Sequence, residues 1–600
     1  MEYEITEERQ AYLEARGYTI LSACPGSGKT TSIIKKLFDV SAYCQEKYGK
    51  YAGVMCLSFT NKACTELHEK YSNMHGMSLI YPNEISTIDS FIMQKIVLPF
   101  WYLCPYVKSK PIVINDDIAL NDVYNITYTD KKGKMKIGRN GIFKKYDNFF
   151  YTLPPQNVIK EKKGFSYSKK IITAPEKIEY CKEVFLFRLS KGYITSQDAL
   201  WIACYILKEN PDIAKALVMR YPYIIVDEAQ DNSELQFCFF KILIDAGLQN
   251  LEYVGDVCQA IYEFRNARPD YLLAIAKLEE WKTLHLTECR RSNQRIIDLY
   301  SLLKPKCMPS IQSYNIADVL APITVYYQDG NNTNAIINHF KRVCKQHNLQ
   351  RQLLLARGDK MCLRIAGVKD EKIKYWKSYI PYKIIEAKLD FMNEDLNKAF
   401  RVIRYVVSNL KFSDKDKRKA FICDIEHDIS WNMKIYKFLE TIPSFKMKLE
   451  EWTTTTQSFI KDYWDIEGTV DFGPKSKING YQMQQVRETP LENFYTSSEL
   501  NGTNHLECNT IHSAKGATVD AVLLFLSENS QGQNISLNDF CEVKQDEMTE
   551  KQRLIYVACS RAKQFVALVV PSSVPEEKIR ATLKGVDYVI EKIEFQTNLF

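Results

Sequence analysis

Eight short apolar runs punctuate the chain, and amphipathic stretches of helical length follow most of them. Runs of Val, Ile, Leu, Tyr and Phe without polar alternation are typical of strands buried on both faces of a parallel sheet. The runs are GYTILSA (17–23), GVMCLSF (53–59), YIIVDEA (223–229), LEYVGD (251–256), ITVYYQD (323–329), RQLLLAR (351–357), AVLLFLS (521–527) and QFVALVV (564–570). Alternating strands and helices predict an α/β fold of parallel sheets, with ligand-binding loops at the strand ends.

The apolar runs form two groups, and a long segment of different composition interrupts each group. We therefore predict two parallel-sheet domains, each carrying an inserted subdomain. The predicted boundaries are 1–100 with 196–290 for the first sheet domain, 101–195 for its insertion, 291–370 with 495–600 for the second sheet domain, and 371–494 for a reduced, mainly helical insertion.

The first insertion is strongly basic in its middle part. Residues 131–170 contain twelve lysine or arginine residues against two acidic ones, Asp147 and Glu161, with aromatic residues between them. One interpretation is a solvated basic face. The other is a surface that grips the phosphates of incoming duplex DNA, which the mixture of lysine and aromatic residues favours slightly.

Composition narrows the class of protein only a little. The 600 residues carry a net charge of +7, which permits a nucleic-acid partner without requiring one. No apolar run approaches the ~18 residues of a membrane span, and the polar, acidic start does not resemble a secretory signal. The 17 cysteines include no CxxC pair, so we expect reduced thiols, a cytoplasmic location, and neither a zinc nor an iron–sulfur site.

A phosphate-binding loop is predicted at ACPGSGKT (23–30). Glycines allow backbone N–H groups to close around phosphate oxygens, Lys29 adds a charge near the β and γ phosphates, and the Thr30 hydroxyl can ligate Mg²⁺. The candidate nucleotide-binding residues here are Ala23, Pro25, Gly26, Ser27, Gly28, Lys29, Thr30 and Thr31.

The run YIIVDEAQD (223–231) ends in two adjacent carboxylates. Burying both after a core strand would be costly without a cation, so a metal ion or a cationic partner is implied. Asp227 is the candidate Mg²⁺ ligand through the water shell of the ion. Glu228 is the candidate base that orients and deprotonates the attacking water.

Eight blocks along the chain resemble, in order, the conserved segments of superfamily 1 DNA helicases of the UvrD/Rep/PcrA type. They are ACPGSGKT (23–30), LSFTNKACTELHEK (57–70), ISTIDSFI (85–92), IIVDEAQD (224–231), VGDVCQAIYEFRNA (254–267), LTECRRSNQRI (286–296), NTIHSAKGATVDAVLL (509–524) and RLIYVACSRAKQFVAL (553–568). The resemblance implies two RecA-like domains with ATP bound between them. It also implies translocation along single-stranded DNA, in the 3′-to-5′ direction.

The resemblance assigns further roles to individual residues. Gln259 corresponds to a sensor of the γ-phosphate, and Arg291 and Arg561 correspond to arginines that reach the γ-phosphate from the second domain. An arginine finger typically contributes ~10³–10⁵ in rate. The candidate DNA-binding residues, which would hold the backbone or stack on bases, are Phe59, Thr60, Asn61, Thr87, Tyr262, Phe264 and His512.

The chain departs from the family pattern mainly where the nucleoside is recognised. Arg290 stands where the family has a tyrosine that stacks on adenine, and its guanidinium plane is the candidate to stack on the base instead. Thr518 replaces a glutamate that accepts from the ribose. The adenine-reading glutamine is best matched by Gln10, although Arg9 occupies the expected position. Gly516 completes the candidate nucleotide-binding residues. We therefore expect ATP hydrolysis with relaxed base selectivity.

Three functions remain open. The first is a DNA-dependent ATPase and helicase of repair or replication restart, acting on single strands and on junctions with duplex. The second is the ATPase subunit of a phage-defence system that works with a separate nuclease. The third is a nucleotide-gated switch that binds DNA or a partner without translocating, against which the complete hydrolytic set argues. All three use ATP and Mg²⁺, and none involves a membrane.

Overall fold

The structure is a computed structural model, and it divides into two compact units. They are Met1–Gln352 with Ala514–Phe600, and Leu353–Ser513. The residues that can be described are 4–113, 127–129, 135–137, 149–151, 159–161, 185–186, 189–190, 192–262, 267–314, 322–329, 332–358, 361–362, 365, 375–392, 395–426, 428–474, 483–494, 508–528, 534–540 and 547–593. Phe264 and most of the Lys-rich stretch 131–170 lie outside these ranges.

The first unit contains a six-stranded parallel sheet with the order β12-β1-β11-β10-β2-β3. Its strands are β1 (Tyr18–Ala23), β2 (Val54–Ser58), β3 (Glu84–Thr87), β10 (Tyr223–Asp227), β11 (Asn250–Gly255) and β12 (Trp281–Leu286). Strands β2, β10 and β11 are buried along their whole length, as continuous apolar runs require. Because the strands are parallel, all of their carboxyl ends meet at one edge, where the candidate catalytic residues lie.

Helices cover both faces of this sheet and bury two apolar clusters. They are α1 (Glu7–Glu14), α2 (Lys29–Tyr48), α3 (Asn61–His75), α4 (Ile88–Ile92), α5 (Leu98–Phe100), α6 (Ser196–Glu209), α7 (Pro211–Arg220), α8 (Glu234–Asp245) and α9 (Pro269–Ile275). Helix α6 begins at a capping box on Thr195, whose hydroxyl accepts from the amide of Asp198 while the carboxylate accepts from Thr195.

Short strands lie between α5 and α6, in the predicted first insertion. They are β4 (Ile112–Val113), β5 (Thr127–Thr129), β6 (Met135–Ile137), β7 (Phe149–Tyr151), β8 (Ile159–Glu161) and β9 (Tyr193–Ile194). Strands β5 and β6 form one antiparallel pair, and β7 and β8 form another. Strands β4 and β9 pair in parallel.

The first unit also contains parallel strands from the second half of the chain, in the order β18-β19-β15-β20. The elements of this region are β13 (Glu288–Cys289), α10 (Gln294–Ser301), β14 (Gln312–Ser313), β15 (Ile323–Gln328), α11 (Thr333–Gln346), β18 (Val519–Phe525), α18 (Glu550–Cys559), β19 (Ala562–Pro571), α19 (Glu576–Thr582) and β20 (Tyr588–Glu591). Strand β19 is almost entirely buried, and α18 leads directly into it.

The second unit is mainly helical in its described residues. Its elements are β16 (Gln352–Ala356), α12 (Ile380–Met392), α13 (Leu396–Lys411), α14 (Lys415–Ile425), α15 (Ile429–Thr441), α16 (Leu449–Tyr463), α17 (Met483–Glu488) and β17 (Cys508–Thr510). Strands β16 and β17 pair in parallel. An apolar core rich in tryptophan holds the helices together, with Trp431 stacked on Trp464 at a centroid distance of 5.5 Å.

The prediction of an α/β fold with parallel sheets is confirmed, and all eight predicted strands are present. The structure adds strands that the apolar pattern did not reveal, among them β3, β12, β17 and β20. The domain boundaries given above stay predictions. None of the described helices is both long enough and apolar enough to cross a membrane. The cysteines of the described segments form no disulfide with one another.

Candidate active site

The loop from Cys24 to Gly28 joins β1 to α2 and depends on two glycines. Gly26 has φ +77° and Gly28 has φ +83°, in the left-handed region that favours glycine. Ala23, Pro25 and Ser27 are buried, whereas Thr30 and Thr31 are half-buried in the first turn of α2. The predicted loop residues therefore form one turn at the amino terminus of a long helix, an arrangement that binds phosphate.

Lys29 lies against the two carboxylates predicted to need a cation. Its Nζ is 3.0 Å from Asp227 Oδ1 and also contacts Glu228 Oε1. Burial opposes the charge of Lys29, but the two carboxylates outweigh burial and raise the pKa of the ammonium. Burial raises the pKa of Asp227. Burial would raise the pKa of Glu228 as well, but Lys29 and Lys515 reverse that effect and lower it to about 2.

A short hydrogen-bonded path fixes the backbone around Glu228. Glu228 has φ +54°, unusual for a residue with a side chain, and its amide donates to Asp227 Oδ1 at 2.9 Å. The Gln230 amide donates to Glu228 Oε2 at 2.5 Å and accepts from the Asp256 amide at 3.1 Å. A Cβ on Gly255 would lie 2.0 Å from Gln230 Oε1, so only glycine leaves room for this contact.

Three side chains link the ends of β11 and α18. Asp256 Oδ2 accepts from Gln259 Nε2 at 2.9 Å, and Gln259 Oε1 accepts from Arg561 Nη2 at 2.7 Å. Burial raises the pKa of Asp256. Burial, followed by the nearby Arg291, lowers the pKa of Arg561. The predicted sensor and one predicted arginine finger are thus hydrogen-bonded to each other.

The second predicted arginine finger approaches the same loop. Arg291 Nη1 donates to the Ser560 carbonyl at 2.9 Å, and the Arg290 amide donates to the Gly26 carbonyl at 2.9 Å. A Cβ on Gly26 would lie 2.4 Å from Arg291 Cβ. The predicted phosphate-binding loop therefore packs directly on the segment that carries Arg290 and Arg291.

The structure separates Gln10, proposed for base recognition, from Arg9, which occupies the position expected for the adenine-reading glutamine. Gln10 is exposed and its amide donates to Glu14 on the same helix, so it does not contact the loop. Arg9 is buried instead, and its Nη2 donates to the Ser27 carbonyl at 3.0 Å. The guanidinium closes over Gly28, where a Cβ would lie 2.7 Å from Nη2.

Arg290 belongs to a small cluster beside Arg9. Its guanidinium carbon is 3.9 Å from the centroid of the Tyr314 ring, and Nη1 pairs with Glu4 Oε2 at 2.7 Å. Tyr314 donates to the other oxygen of Glu4 at 2.5 Å. One face of the Arg290 plane is therefore occupied by Tyr314.

The candidate DNA residues fall into distinct environments. The rings of Phe59 and Tyr262 are stacked, with centroids 5.6 Å apart and an interplanar angle of 21°. Thr60 and Thr87 cap α3 and α4, because their hydroxyls accept from the amides of Ala63 and Ser90. Asn61 is exposed at the start of α3.

Of the other DNA candidates, Phe264 lies outside the described residues and His512 follows β17. The nucleotide candidate Gly516 also follows β17. His512 Nδ1 is 3.5 Å from Arg357 Nη1, and both residues belong to the second unit. Gly516 is exposed, has φ +85°, and makes no close contact at the position of a Cβ.

Sequence reasoning missed Lys515. Its Nζ lies 2.5 Å from Asp231 Oδ2, 3.1 Å from the Gln259 carbonyl and 3.8 Å from Glu228 Oε2. The same ammonium is 4.7 Å from the centroid of the Tyr262 ring. Burial raises the pKa of Asp231 to about 6, and Lys515 opposes that shift. The only sequence signal was a lysine within the block NTIHSAKG, and nothing in it indicates these partners.

Two family models match most of the chain. The UvrD/REP helicase N-terminal domain matches residues 5–279, and the UvrD-like helicase C-terminal domain matches residues 324–572. The chain belongs to the UvrD/Rep family of ATP-dependent DNA helicases. The two matched ranges contain the loop at Lys29, the carboxylates at Asp227 and Glu228, and the arginine at position 561.

Several curated proteins are similar over nearly their whole length. A probable DNA helicase II homolog of Mycoplasma genitalium is 22% identical, over 96% of this chain and 86% of that protein. The ATP-dependent DNA helicase Rep of Buchnera aphidicola is 22% identical, over 93% of each. The Gabija protein GajB of Bacillus cereus is 23% identical, over 96% of this chain and 97% of that protein.

Replacing Gly26 with alanine should damage the nucleotide site more than the fold. The new Cβ would overlap Arg291 Cβ, and relieving such overlap costs about 1–3 kcal/mol, so we expect roughly tenfold weaker binding of a fluorescent ATP analogue. Gly76→Ala is the matched control, since Gly76 also has a left-handed φ but no heavy atom within 4 Å of its Cβ position. Equal affinities for the two variants would contradict the prediction.

Proposed function

We propose that the chain is a DNA-dependent ATPase that moves 3′ to 5′ along single-stranded DNA. The observation that carries this proposal is the hydrogen-bonded line from Asp256 through Gln259 to Arg561, beside the cluster of Lys29, Asp227 and Glu228. It connects the groups that would bind the phosphates to an arginine from the second half of the chain. Family membership and the helicase names of several relatives support the same function.

The residues at the loop fit a magnesium nucleotide. Mg²⁺ in such sites takes one or two carboxylates together with phosphate oxygens, and the described residues contain no cage of three or more ligands. Asp227 and Thr30 would hold the ion, and the ion would neutralise charge on the phosphates. The buried carboxylate of Asp227 already faces a cation, the ammonium of Lys29, which agrees with this use of the site.

In the proposed reaction, Lys29 turns from the carboxylates towards the β and γ phosphates of ATP. Loss of the Lys29 contact removes one of the charges that lower the pKa of Glu228, so the carboxylate becomes a stronger base. Glu228 then accepts a proton from the attacking water. Arg291 and Arg561 neutralise the charge that spreads over the phosphoryl oxygens.

Lys515 supplies a route by which DNA would influence this reaction. The Phe59 and Tyr262 centroids are 5.6 Å apart, which is the distance of two rings in direct contact, so a base that enters between them must separate them. Tyr262 would therefore shift when DNA binds. Because the Lys515 ammonium contacts that ring and pairs with Asp231 beside Glu228, the shift would reach the catalytic carboxylate.

A second candidate function is the ATPase subunit of a phage-defence system with a separate nuclease. The match to the Gabija protein GajB favours it, because that alignment spans 97% of GajB and 96% of this chain. The two candidates differ in partner rather than in chemistry. Co-purification of the chain with a nuclease encoded beside it, together with loss of phage resistance on deletion of either gene, would favour the defence role.

Replacing Glu228 with glutamine should abolish hydrolysis but preserve ATP binding. The amide keeps the size of the side chain and cannot accept the proton, so we expect steady-state turnover to fall by ~10²–10⁴. Lys29→Ala is the comparison, because it removes the charge near the phosphates and should weaken ATP binding as well. Turnover by Glu228→Gln close to that of the wild type would remove Glu228 from the proposed role.

Single-stranded DNA should stimulate the ATPase, and Tyr262→Ala should reduce that stimulation by roughly an order of magnitude, given ~1–3 kcal/mol per stacked base. The matched control is Tyr51→Ala, because Tyr51 precedes β2 at the opposite edge of the sheet and is 64% exposed. Stimulation unaffected by either change would count against the aromatic track.

Unwinding of 3′-tailed but not 5′-tailed or blunt duplexes would establish the direction of movement along the strand.

Base selectivity should be weak. Gln10 does not face the loop, and the guanidinium of Arg9 offers only donors where an amide would offer a donor and an acceptor. We expect kcat/KM for ATP, GTP and CTP to agree within about tenfold in steady-state assays with saturating DNA. A strict preference for ATP would overturn this prediction.

A further inference from the structure

A fully buried ion pair lies inside the first sheet domain, away from the reacting groups. Lys36 on α2 and Glu252 on β11 are both 0% exposed, and Lys36 Nζ is 2.6 Å from Glu252 Oε1. Tyr223 on β10 donates its hydroxyl to the same oxygen. The pair thus joins the helix after the predicted phosphate-binding loop to β10, which ends at Asp227, and to β11, which Asp256 follows.

The remaining donors of Lys36 bind the end of helix α1. Nζ donates to the carbonyls of Tyr12 at 2.6 Å and Ala15 at 2.9 Å, and it lies 4.2 Å from the Tyr12 ring centroid. An ammonium has three N–H groups, and the Glu252 carboxylate and the two carbonyls together accept from all three. The Ala15 carbonyl also accepts from Arg16 Nη1 at 2.7 Å, and the Tyr12 carbonyl from the Ala15 amide at 3.2 Å. Lys36 therefore adds a charged donor to the last carbonyls of the helix, which favour a cation.

Helix α1 in turn carries Arg9 to the phosphate-binding loop. Arg9 donates to the Ser27 carbonyl and covers Gly28, so it fixes the conformation of the backbone that would hold phosphate. Glu8 on the same helix accepts from the amide of Thr287 at 2.7 Å, which provides a second anchor. Lys36 holds the carboxyl end of α1 and Glu8 holds its first turn.

We propose that Lys36, held by Glu252, is a positioning residue of the nucleotide site that acts through α1 and Arg9. Buried ion pairs rarely increase net stability over apolar replacements, but they can fix the register of the elements they join. For α1, the property that the pair would fix is the rotation of the helix about its own axis. This rotation decides which side chain reaches the loop, because neighbouring residues on a helix point about 100° apart. Lys36 therefore keeps Arg9, rather than Gln10, on the loop. The inference rests on the proposed function in taking this loop as the ATP site.

The test is a double-mutant cycle on the full chain. Lys36→Met with Glu252→Gln removes both charges together and leaves an oxygen for Tyr223. The variant also loses the Lys36 bonds to the Tyr12 and Ala15 carbonyls, so it should fold but melt below the wild type. We expect the Kd for a fluorescent ATP analogue, and KM for ATP, to rise roughly fivefold, while kcat changes less than twofold. The increase is moderate because Glu8 still anchors α1.

Arg9→Ala should raise the same Kd by at least as much. Adding it to the pair variant should give little further loss, since both changes act through one contact. Multiplied effects, or an unchanged Kd in the folded pair variant, would overturn the proposal.

Two additional measurements keep the outcome decisive. If the pair variant does not fold, Lys36→Gln enters the same cycle with Arg9→Ala, and multiplied effects there overturn the proposal equally. Lys36→Arg retains the charge, so it should bind the nucleotide more tightly than Lys36→Gln does and closer to the wild-type affinity. Nucleotide binding is measured without DNA, so its result does not depend on DNA-stimulated hydrolysis. Absence of that stimulation would refute the proposed function, whereas the role of Lys36 would still be decided by the binding data.

Discussion

The need to compensate buried carboxylates governs the architecture of the site. Asp227, Glu228, Asp231 and Asp256 all lie at the carboxyl ends of β10 and β11, where Glu228 is half-buried and the other three are buried. An isolated charge there would be prohibitively costly, so each carboxylate has a cation or a donor beside it. Lys29 pairs with Asp227 and Glu228, Lys515 pairs with Asp231, and the side-chain amide of Gln259 donates to Asp256.

These compensating groups come from distant parts of the sequence, so the charge balance of the site depends on how those parts of the chain meet. Lys29 precedes the sheet strands it contacts by about 200 residues, whereas Lys515 and Arg561 follow them by about 300. In the proposed reaction, a nucleotide that competes for Lys29 would change the charge balance of the whole cluster. The proposed function would use this change to couple the state of the nucleotide to motion.

Much of the fold and part of the site follow from local sequence. Fully buried parallel strands read as continuous apolar runs, so β1, β2, β10, β11, β15, β16, β18 and β19 were all predictable. Strand β12 was not, because Lys282, Thr283 and His285 in its middle are polar and exposed at the edge of the sheet. Strand β3 has only four residues and alternates between buried and half-buried positions.

The sequence by itself determined the chemistry: a glycine-rich loop with Lys29, two carboxylates after a core strand, and blocks in the order of a helicase family. Tertiary structure alone decided which side chains meet. It turned Arg9 to the loop and Gln10 to solvent, because the packing of α1 sets its rotation and one residue shifts a helical side chain by about 100°. It also brought Lys515 to Asp231 and Tyr262, since contacts across hundreds of residues leave no trace in local periodicity.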